Sequence, residues 1–515
     1  MSKSRRFEAG RRLATKEAGE EIVIAGISGR FPKSDNVKEY KENLMNKVDM
    51  CDDDERRWKH TDPEIPKLSG KINQPEKFDT GFFGVHRMQA DEMDPIIRIS
   101  LESAFEAFVD AGMSPEDVKG SRTGVFVGSC NSESEVINCY NNLKPKGYSL
   151  VGCTKSMIAQ RISYALQLNG PSMVCDTACG SSLQAMIQAY KSICEGKCDM
   201  AIVGGTNLCF NLNIALQHAR LGVLNMNTGC RPFDDNASGF TRSEAIVMIL
   251  LQKKKFAKRI YTEVVHCKSN VDGYKEQGIL QPSGDGFSLL FKEIYEEANV
   301  SPSTVAYIEA HGTGTVVGDP LEVNRINEFF CPGRENALFL GSCKSNTGHT
   351  EPASGLCSMI KLICAMESGI IPPNINFDKP NKNIKALLDG SIKVVTEKTP
   401  WPNDMNFAAV NNFGFGGTNC HVLLKRPDEN NRKRPFDNQA TLVCYSGRTT
   451  ESMQTYRNFL ISKNSDYDSA ALIHSIFKKR IENDDYRGFS LIDSSGELHN
   501  SYKYVPEGPR NFIYF

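Results

Sequence analysis

The chain has 515 residues, more than one ordinary domain holds, so we expect two or three domains, the largest with a sizeable core. Its 61 lysines and arginines nearly balance 62 aspartates and glutamates, so no global basic field favours binding to nucleic acid or to an anionic membrane surface. The longest apolar run, residues 245–251, is too short to cross a bilayer.

The seventeen cysteines predict free thiols rather than a disulfide framework, because the basic opening segment lacks the apolar core of a signal peptide. Free thiols are typical of a reducing compartment, so we expect a cytoplasmic protein. The spacings from Cys175 to Cys179 and from Cys194 to Cys198 are not the paired CxxC of a zinc module, and no metal site is predicted.

The first half of the chain alternates strands and helices, which predicts a layered α/β fold. Residues 1–20 are polar and are predicted to form a flexible arm. Residues 51–75 show no hydrophobic periodicity and are predicted to form a long surface loop. Strands are predicted at 21–27, 123–127 and 200–203, and helices at 93–111 and 154–166. The basic cluster at residues 253–259 is assigned to a solvated helix face.

The segment MVCDTACGSSL, residues 173–183, carries the first candidate for chemistry. An apolar strand ends at Asp176, and a helix is predicted from Ser181, so Cys179 lies on a strand-to-helix turn. A thiol at a helix N-terminus lies at the positive end of the helix dipole, which favours the thiolate. The alternative interpretation is a buried structural cysteine.

Two later turns complete a set of candidate catalytic groups. A strand-like run ends at His311 before a loop of glycines and threonines, and another delivers Lys344 and then His349. A cysteine and two histidines just past strand ends are the pattern of nucleophilic catalysis in a sheet-based enzyme. After the first loop, Asp319 and Glu322 fit the N-cap and third helical position of a capping box.

The composition changes near Lys425, where KRPDENNRKRP reads as a linker. Beyond it, strands are predicted at 440–445 and 488–492 and helices at 450–463 and 468–479. These elements predict a small α/β module without catalytic residues.

Four motifs in order make the sequence recognisable: DTACGSSL at Cys179, EAHGTGTVVGDPLE at His311, KSNTGHTEPASG at Lys344 and His349, and NNFGFGGTN at residues 411–419. Together they resemble the β-ketoacyl synthase family of condensing enzymes. KGYSLVGCTKSMIAQRISY, RPFDDNASGFTRSE, DGYKEQGILQPSGD and PNKNIKALLDG narrow the likeness to the ketosynthase of animal-type (type I) fatty acid synthase.

The resemblance implies a thiolase-like fold of two related halves, with stacked sheets between helices, over residues 21–426. The halves would cover about 21–258 and 259–426, with a linker domain at 427–508 and the start of an acyltransferase at 509–515. The acyltransferase would then follow in the chain or act in trans. A homodimer is also implied.

The resemblance implies a role for each motif residue. Cys179 would carry the acyl group, and His311 and His349 would assist decarboxylation of a malonyl thioester, with Lys344 holding the electrostatics of the site. Further roles are the oxyanion hole from the backbone N–H groups of Cys179 and Phe415, contacts to a phosphopantetheine arm from Thr313 and Thr315, and a gate to the acyl pocket from Phe413 or Phe415. Gly180 departs from the animal synthases, which usually carry serine there.

The implied substrates are acyl and malonyl thioesters on the phosphopantetheine of an acyl carrier protein, and no cofactor bound by the chain itself is expected. A polyketide ketosynthase would share every catalytic residue, and a non-catalytic scaffold is the alternative from another class. A thiolase is disfavoured because the glycine turn GFGGTN contains no second cysteine, and Cys420 lies just beyond it.

Overall fold

The computed structural model describes residues 19–140, 146–427, 441–462, 467–478, 486–492 and 498–501. Nearly all of the predicted N-terminal arm and the whole of segment 509–515 lie outside these residues. Within them, no helix is long and apolar enough to span a membrane.

Eighteen strands are described: β1 Ile22–Arg30, β2 Cys51–Asp52, β3 Ser69–Gly70, β4 Thr123–Gly128, β5 Ser172–Cys175, β6 Met200–Asn207, β7 Ala245–Lys253, β8 Thr262–Val271, β9 Val305–Glu309, β10 Leu338–Gly341, β11 Ile370–Ile371, β12 Ile392–Val394, β13 Thr399–Pro400, β14 Phe407–Phe413, β15 Thr418–Lys425, β16 Thr441–Gly447, β17 Tyr486–Ile492 and β18 Leu498–Ser501.

The α-helices of the described residues are α1 Val37–Met45, α2 Arg87–Glu92, α3 Pro95–Asp110, α4 Pro115–Val118, α5 Glu133–Glu135, α6 Gly147–Cys153, α7 Ser156–Ala165, α8 Ser181–Cys194, α9 Leu212–Arg220, α10 Gly284–Ala298, α11 Gly318–Phe330, α12 Lys344–Thr347, α13 Ser354–Ser368, α14 Lys385–Leu388, α15 Thr450–Ser462 and α16 Tyr467–Ile476. A π-helix, Val136–Tyr140, follows α5.

The sheet topology confirms the internal duplication that the repeated rhythm of the sequence suggested. Eleven strands are hydrogen-bonded in the order β12-β10-β9-β14-β15-β8-β1-β7-β6-β4-β5. When the edge strand β12 is left out and the sheet strands of each half are numbered from the first, both halves have the order 3-2-4-5-1, in β5-β4-β6-β7-β1 and in β10-β9-β14-β15-β8. In both halves the fifth strand is antiparallel to both of its neighbours. The halves meet where β1 pairs with β8.

Helices cover both faces of each half, which is the thiolase-like layered architecture. Along β7, Val247, Ile249 and Leu251 pack into one apolar core, whereas Ile246 and Met248 pack into another, as the two-residue period of a strand requires. The inner core contains α8 and α13, which contact each other and strands of both halves. The outer layers are α3 and α7 on the first half and α10 and α11 on the second.

The C-terminal elements form a separate three-stranded sheet, β16-β17-β18, with α15 and α16 packed against β16. This matches the strands and helices predicted there, with a third strand added. The module touches the larger unit through an ion pair between Arg448 and Asp79, whose Nη1 and Oδ2 atoms are 2.7 Å apart.

One prediction for the first half is wrong. The basic cluster at 253–259 does not lie on a helix face, because β7 runs to Lys253 and a single 3-10 turn, Lys254–Phe256, follows. Its cations have distant acidic partners: Lys253 pairs with Glu20, and Arg259 pairs with Asp110. The eight residues before Lys253 are buried and form the strand, and the basic residues mark its C-terminal end.

Candidate active site

Cys179 lies on the sharp turn predicted between β5 and α8. Ala178 has a positive φ of 53°, an uncommon conformation for a residue with a side chain, and α8 begins at Ser181. The hydroxyl of Ser181 accepts from the N–H of Thr177 at 2.9 Å and donates to the carbonyl of Ala178 at 2.5 Å. These two hydrogen bonds hold the turn in its strained conformation.

His349 is in direct contact with Cys179. Its Nε2 atom is 3.1 Å from the sulfur, although 170 residues separate the two in the chain. His349 is buried, and the ring of Phe240 packs edge-on against it with centroids 4.9 Å apart. The structure therefore unites the nucleophile candidate with one of the two predicted histidines.

His311 completes the cluster. Its ring lies edge-on to that of His349, with centroids 5.5 Å apart. The amide nitrogen of Asn412 is 3.1 Å from Nδ1 of His311 and also donates to Ser354 at 2.9 Å. Because an amide nitrogen can only donate, Nδ1 accepts, and the proton of a neutral His311 ring is on Nε2.

Lys344 is fully buried next to both histidines, and its ammonium has no hydrogen-bond partner among the described residues. Burial, followed by the positive charge of Lys344, places the pKa of both His311 and His349 well below the ordinary value. Both imidazoles are therefore neutral at physiological pH. Neutral rings can donate a hydrogen bond to a developing anion without two positive charges lying side by side.

The expectation that the helix dipole makes Cys179 a thiolate is wrong. Desolvation, followed by the carboxylate of Glu351, raises the pKa of the thiol to about 12. Lys344 and the backbone N–H groups of Cys179 and Phe415 act in the opposite direction but do not compensate. The resting pair is a neutral thiol facing a neutral imidazole.

The remaining predicted residues line two loops near this cluster. Thr313 is buried and Thr315 partly buried, and their hydroxyl oxygens are 3.3 Å apart. Phe413 is stacked on Phe287, with centroids 4.0 Å apart, and also contacts the ring of His311. Phe415, by contrast, leaves 60% of its surface exposed.

The capping box predicted at Asp319 and Glu322 is not formed, because α11 begins at Gly318, two residues before the predicted first helical residue, and Asp319 lies inside the helix. Both side chains instead hold the loop that carries His311 and the threonines. Asp319 accepts from the N–H groups of Phe233 and Gly314, at 2.9 and 3.1 Å. Glu322 accepts from His311 and Gly312. The sequence reasoning assigned these acceptors to the helix, whereas the loop uses them.

Several residues near the site were missed by sequence reasoning. Arg242 is buried, forms an ion pair with Glu351 at 2.6 Å, and approaches Glu133 at 3.5 Å. Its backbone lies beside His349 in an isolated β-bridge. Asn412 is part of the NNFGFGGTN motif, but no role was predicted for it. Its position near the end of a strand was the one signal that could have marked it as a site residue.

Comparison with known families decides the assignment. The model described as "Beta-ketoacyl synthase, N-terminal domain" matches residues 19–257, the C-terminal domain of that family matches 261–378, and the ketoacyl-synthetase C-terminal extension matches 380–491. A fatty acid synthase of the goose Anser anser anser is 46% identical over 351 residues, covering 68% of this chain and 100% of that sequence. The chain belongs to the β-ketoacyl synthase family.

Other relatives of this synthase are much longer proteins. Probable polyketide synthase 23 of Dictyostelium discoideum is 33% identical over 476 residues, covering 88% of this chain but 19% of that protein. Among solved structures, a ketosynthase from module 6 of the Bacillus subtilis bacillaene synthase has a TM-score of 0.80 and 29% identity, covering 92% of this chain and 82% of that one. The oxazolomycin ketosynthase of Streptomyces albus has a TM-score of 0.81 and 27% identity, with 92% and 87% coverage.

Gly180→Ser is expected to stabilise the synthase. A Cβ at Gly180 would lie 3.3 Å from the hydroxyl of Thr177, which is buried without a hydrogen-bond partner, and the backbone there is ordinary right-handed helix. A serine hydroxyl would supply that partner, and the lost glycine flexibility would add to the effect, giving about 1 kcal/mol. Urea unfolding measures it.

Gly147→Ser is the matched control, because Gly147 begins α6 and faces open space. It should gain only the smaller contribution from reduced flexibility of the unfolded chain. A Gly180→Ser protein less stable than the Gly147→Ser protein would contradict the prediction.

Asp319 should make the stability of the synthase pH-dependent. Burial, with the nearby Glu322, raises the pKa of Asp319 to about 7. The folded state therefore holds a proton that the unfolded state has lost, so this contribution is complete below about pH 4 and is lost as pH rises through 7. The decline is roughly 1.4 kcal/mol per pH unit within that window.

The variant Asp319→Asn should lack this part of the slope when free energies of unfolding are compared at pH 5 and pH 8. The test is the slope and not the absolute free energy of unfolding, because the amide of the variant would place its own N–H group against backbone N–H donors and destabilise the loop at every pH. Equal slopes in the two proteins would contradict the assignment.

Proposed function

We propose that this chain catalyses a decarboxylative Claisen condensation between an acyl thioester and a malonyl thioester. The observation that carries the proposal is the contact of Cys179 with His349, with the neutral ring of His311 beside it. A nucleophile with a base in hydrogen-bond reach and a second donor nearby suits a two-step acyl transfer.

In the first half-reaction the acyl group moves to Cys179. The thiol passes its proton to Nε2 of His349, 3.1 Å away, and the sulfur attacks the thioester carbonyl. The tetrahedral oxyanion accepts from the backbone N–H groups of Cys179 and Phe415, both of which already lower the pKa of the sulfur. The C–S bond to the carrier then breaks, and the carrier thiolate takes the proton from His349.

In the second half-reaction the malonyl thioester loses CO₂. The bond to the carboxylate breaks, and its electron pair forms an enolate whose oxygen accepts from Nε2–H of His311, with the uncharged ring of His349 beside it. The enolate carbon attacks the acyl carbonyl on Cys179, and the cysteine sulfur leaves as a thiolate, which takes a proton from solvent to restore the neutral thiol. Neutral histidines fit this role, since burial and Lys344 hold the pKa of each well below the ordinary value.

The same loops suit a carrier-bound substrate. Thr313 and Thr315 would hydrogen-bond a phosphopantetheine arm, and the exposed ring of Phe415 suits a gate at the rim. Phe413, stacked on Phe287, is better suited to be a fixed wall beside His311. The partner would be an acyl carrier protein, with an acyltransferase in the same protein or in trans, following the domains 21–426 and 427–508 expected from the sequence.

The higher identity to a goose fatty acid synthase, 46% against 33% for a polyketide synthase, favours fatty acid synthesis over polyketide synthesis. The seventeen cysteines all lie in described residues and form no disulfide, which supports the proposed cytoplasmic location.

A homodimer is proposed through β5. This strand ends the sheet and leaves a backbone edge unpaired, and Met173 on it is 43% exposed. Helix α7 packs on β5 and α6 packs on α7, and α6 adds exposed Leu150 and Val151. An exposed edge strand with apolar neighbours suits pairing with a second copy.

Cys179→Ala should abolish condensation, by at least ~10³-fold, because no sulfur remains to carry the acyl group. Release of CO₂ from a malonyl thioester should persist, since it needs only the histidines. Product formation and labelled CO₂ are measured together. Cys444→Ala, which removes an exposed cysteine of the C-terminal module, is the control and should keep both activities.

The same assay separates catalysis from a scaffold role. If Cys179 of the unaltered chain takes up no acyl group or iodoacetamide, and no CO₂ is released, the proposed function is wrong. Retained condensation in Cys179→Ala would equally refute the assigned nucleophile.

Light scattering at micromolar concentration should give a dimer, and Met173→Asp with Leu150→Asp should give a monomer. Two charges placed in an apolar contact would be desolvated without partners. Leu388→Asp, at an exposed position beside the opposite sheet edge, is the control and should stay dimeric. A monomeric parent protein would contradict the proposal.

A further inference from the structure

A line of buried hydrogen bonds links helix α10 to the backbone of His311. Its four side chains come from four elements and are at most 3% exposed: Tyr295 on α10, His421 on β15, Asn411 on β14 and Glu322 on α11. Asn411 and His421 are paired across the β14–β15 ladder. None of the proposed chemical steps involves Tyr295, Asn411 or His421.

The distances define a continuous chain. The hydroxyl of Tyr295 is 3.4 Å from Nε2 of His421, and Nδ1 of His421 is 2.6 Å from Oδ1 of Asn411. The amide nitrogen of Asn411 donates to Glu322 at 2.9 Å. Glu322 then accepts from the N–H groups of His311 and Gly312, at 2.8 and 3.0 Å.

The direction of each hydrogen bond follows from this order. The amide nitrogen of Asn411 donates to Glu322, and its amide oxygen can only accept. Nδ1 of His421, which bonds that oxygen, must therefore carry the proton. Burial lowers the pKa of His421 to about 3, so the ring is neutral and Nε2 is left to accept from Tyr295. All donors therefore point toward Glu322, an arrangement in which each bond polarises the next.

Glu322 needs that support because it is a buried carboxylate, whose pKa burial raises. It holds the second and third residues after β9, His311 and Gly312, and Gly312 has a positive φ. The next residue of β14, Asn412, points to the opposite face and contacts the ring of His311. Adjacent asparagines thus hold the backbone and the ring of one histidine from two sides.

We propose that Asn411 and His421 are positioning residues for the enolate half-reaction, acting on His311 through Glu322. The inference rests on the proposed function, because it assigns His311 to decarboxylation and Cys179 with His349 to acyl transfer. Loss of the chain should therefore slow release of CO₂ from the malonyl thioester and spare transfer of the acyl group to Cys179. A purely structural role would affect both steps together.

His421→Leu removes the proton donor to Asn411 and fills the same space with an apolar side chain of similar bulk. We expect decarboxylation to fall about tenfold or more, since small displacements of a reacting group cost that much, while acyl transfer to Cys179 stays within about threefold. His421→Asn can still present an N–H group to Asn411 and should recover most of the decarboxylation rate.

His266→Asn is the matched control. His266 is also buried, on the neighbouring strand β8, and its Nε2 atom bonds Glu297, 2.8 Å away; it acts on His421 through charge and is not one of the four hydrogen-bonded side chains described above. This variant should keep the ratio of the two rates. Equal loss of both steps in His421→Leu, or an unchanged ratio, would overturn the inference. If the unaltered protein releases no CO₂, the proposed function fails instead.

Asn411→Asp tests the chain without changing its shape, in case His421→Leu fails to fold. A carboxyl at this position must hold a proton to donate to Glu322. The charged group in contact with it is Glu322, which itself interacts with Asp319 and Lys344; the other partner, His421, is neutral.

Decarboxylation by Asn411→Asp should therefore fall between pH 6 and pH 8 by at least about tenfold relative to the parent, because the deprotonated carboxyl would repel Glu322. Acyl transfer should keep the pH profile of the parent. Parallel decarboxylation profiles in the two proteins would overturn the inference.

Discussion

The hydrogen bond between the sulfur of Cys179 and Nε2 of His349 is the contact on which the site depends, and desolvation determines its character. In this pocket burial raises the pKa of the thiol and lowers that of the imidazole, so the pair rests in its neutral form. Lys344 favours the thiolate and disfavours the imidazolium, so its two effects on proton transfer oppose each other. The pocket therefore keeps His349 uncharged in the resting site.

The duplicated fold explains how residues so distant in the chain meet. Cys179 follows the third strand of the first half, and Lys344 and His349 follow the third strand of the second half. The helices after these turns, α8 and α13, contact each other in the layer between the halves. A pseudo-symmetric fold thus brings equivalent turns together. The two turns differ in sequence, because one carries Cys179 and the other carries Lys344 and His349.

Elements were predictable where burial alone determines them. The strands β1 and β4, and α3 with Pro95 at its first position, were placed correctly within a few residues. The wrong expectations all concern charged or ionisable groups whose partners are distant in sequence. Asp319 bonds Phe233, Cys179 is affected by Glu351, and Arg259 pairs with Asp110. Local sequence rules assign such groups to near neighbours, whereas folding supplies other partners.

Two buried carboxylates hold the strand ends from which the histidines and Lys344 project, and they differ in how their charge is balanced. Glu309 accepts from the N–H of Cys343 at 2.5 Å and pairs with Lys361 at 2.9 Å. Glu322 holds His311 in the same manner, yet the nearby cation that lowers its pKa is Lys344, whose ammonium has no hydrogen-bond partner in the described chain. Lys344 therefore balances a structural carboxylate and acts on Cys179, His311 and His349 at once. Replacing Lys344 would disturb the loop and the proposed chemistry together. Substitutions at Asn411 and His421 alter the support of Glu322 from its other side and leave Lys344 in place, so they separate the two effects better.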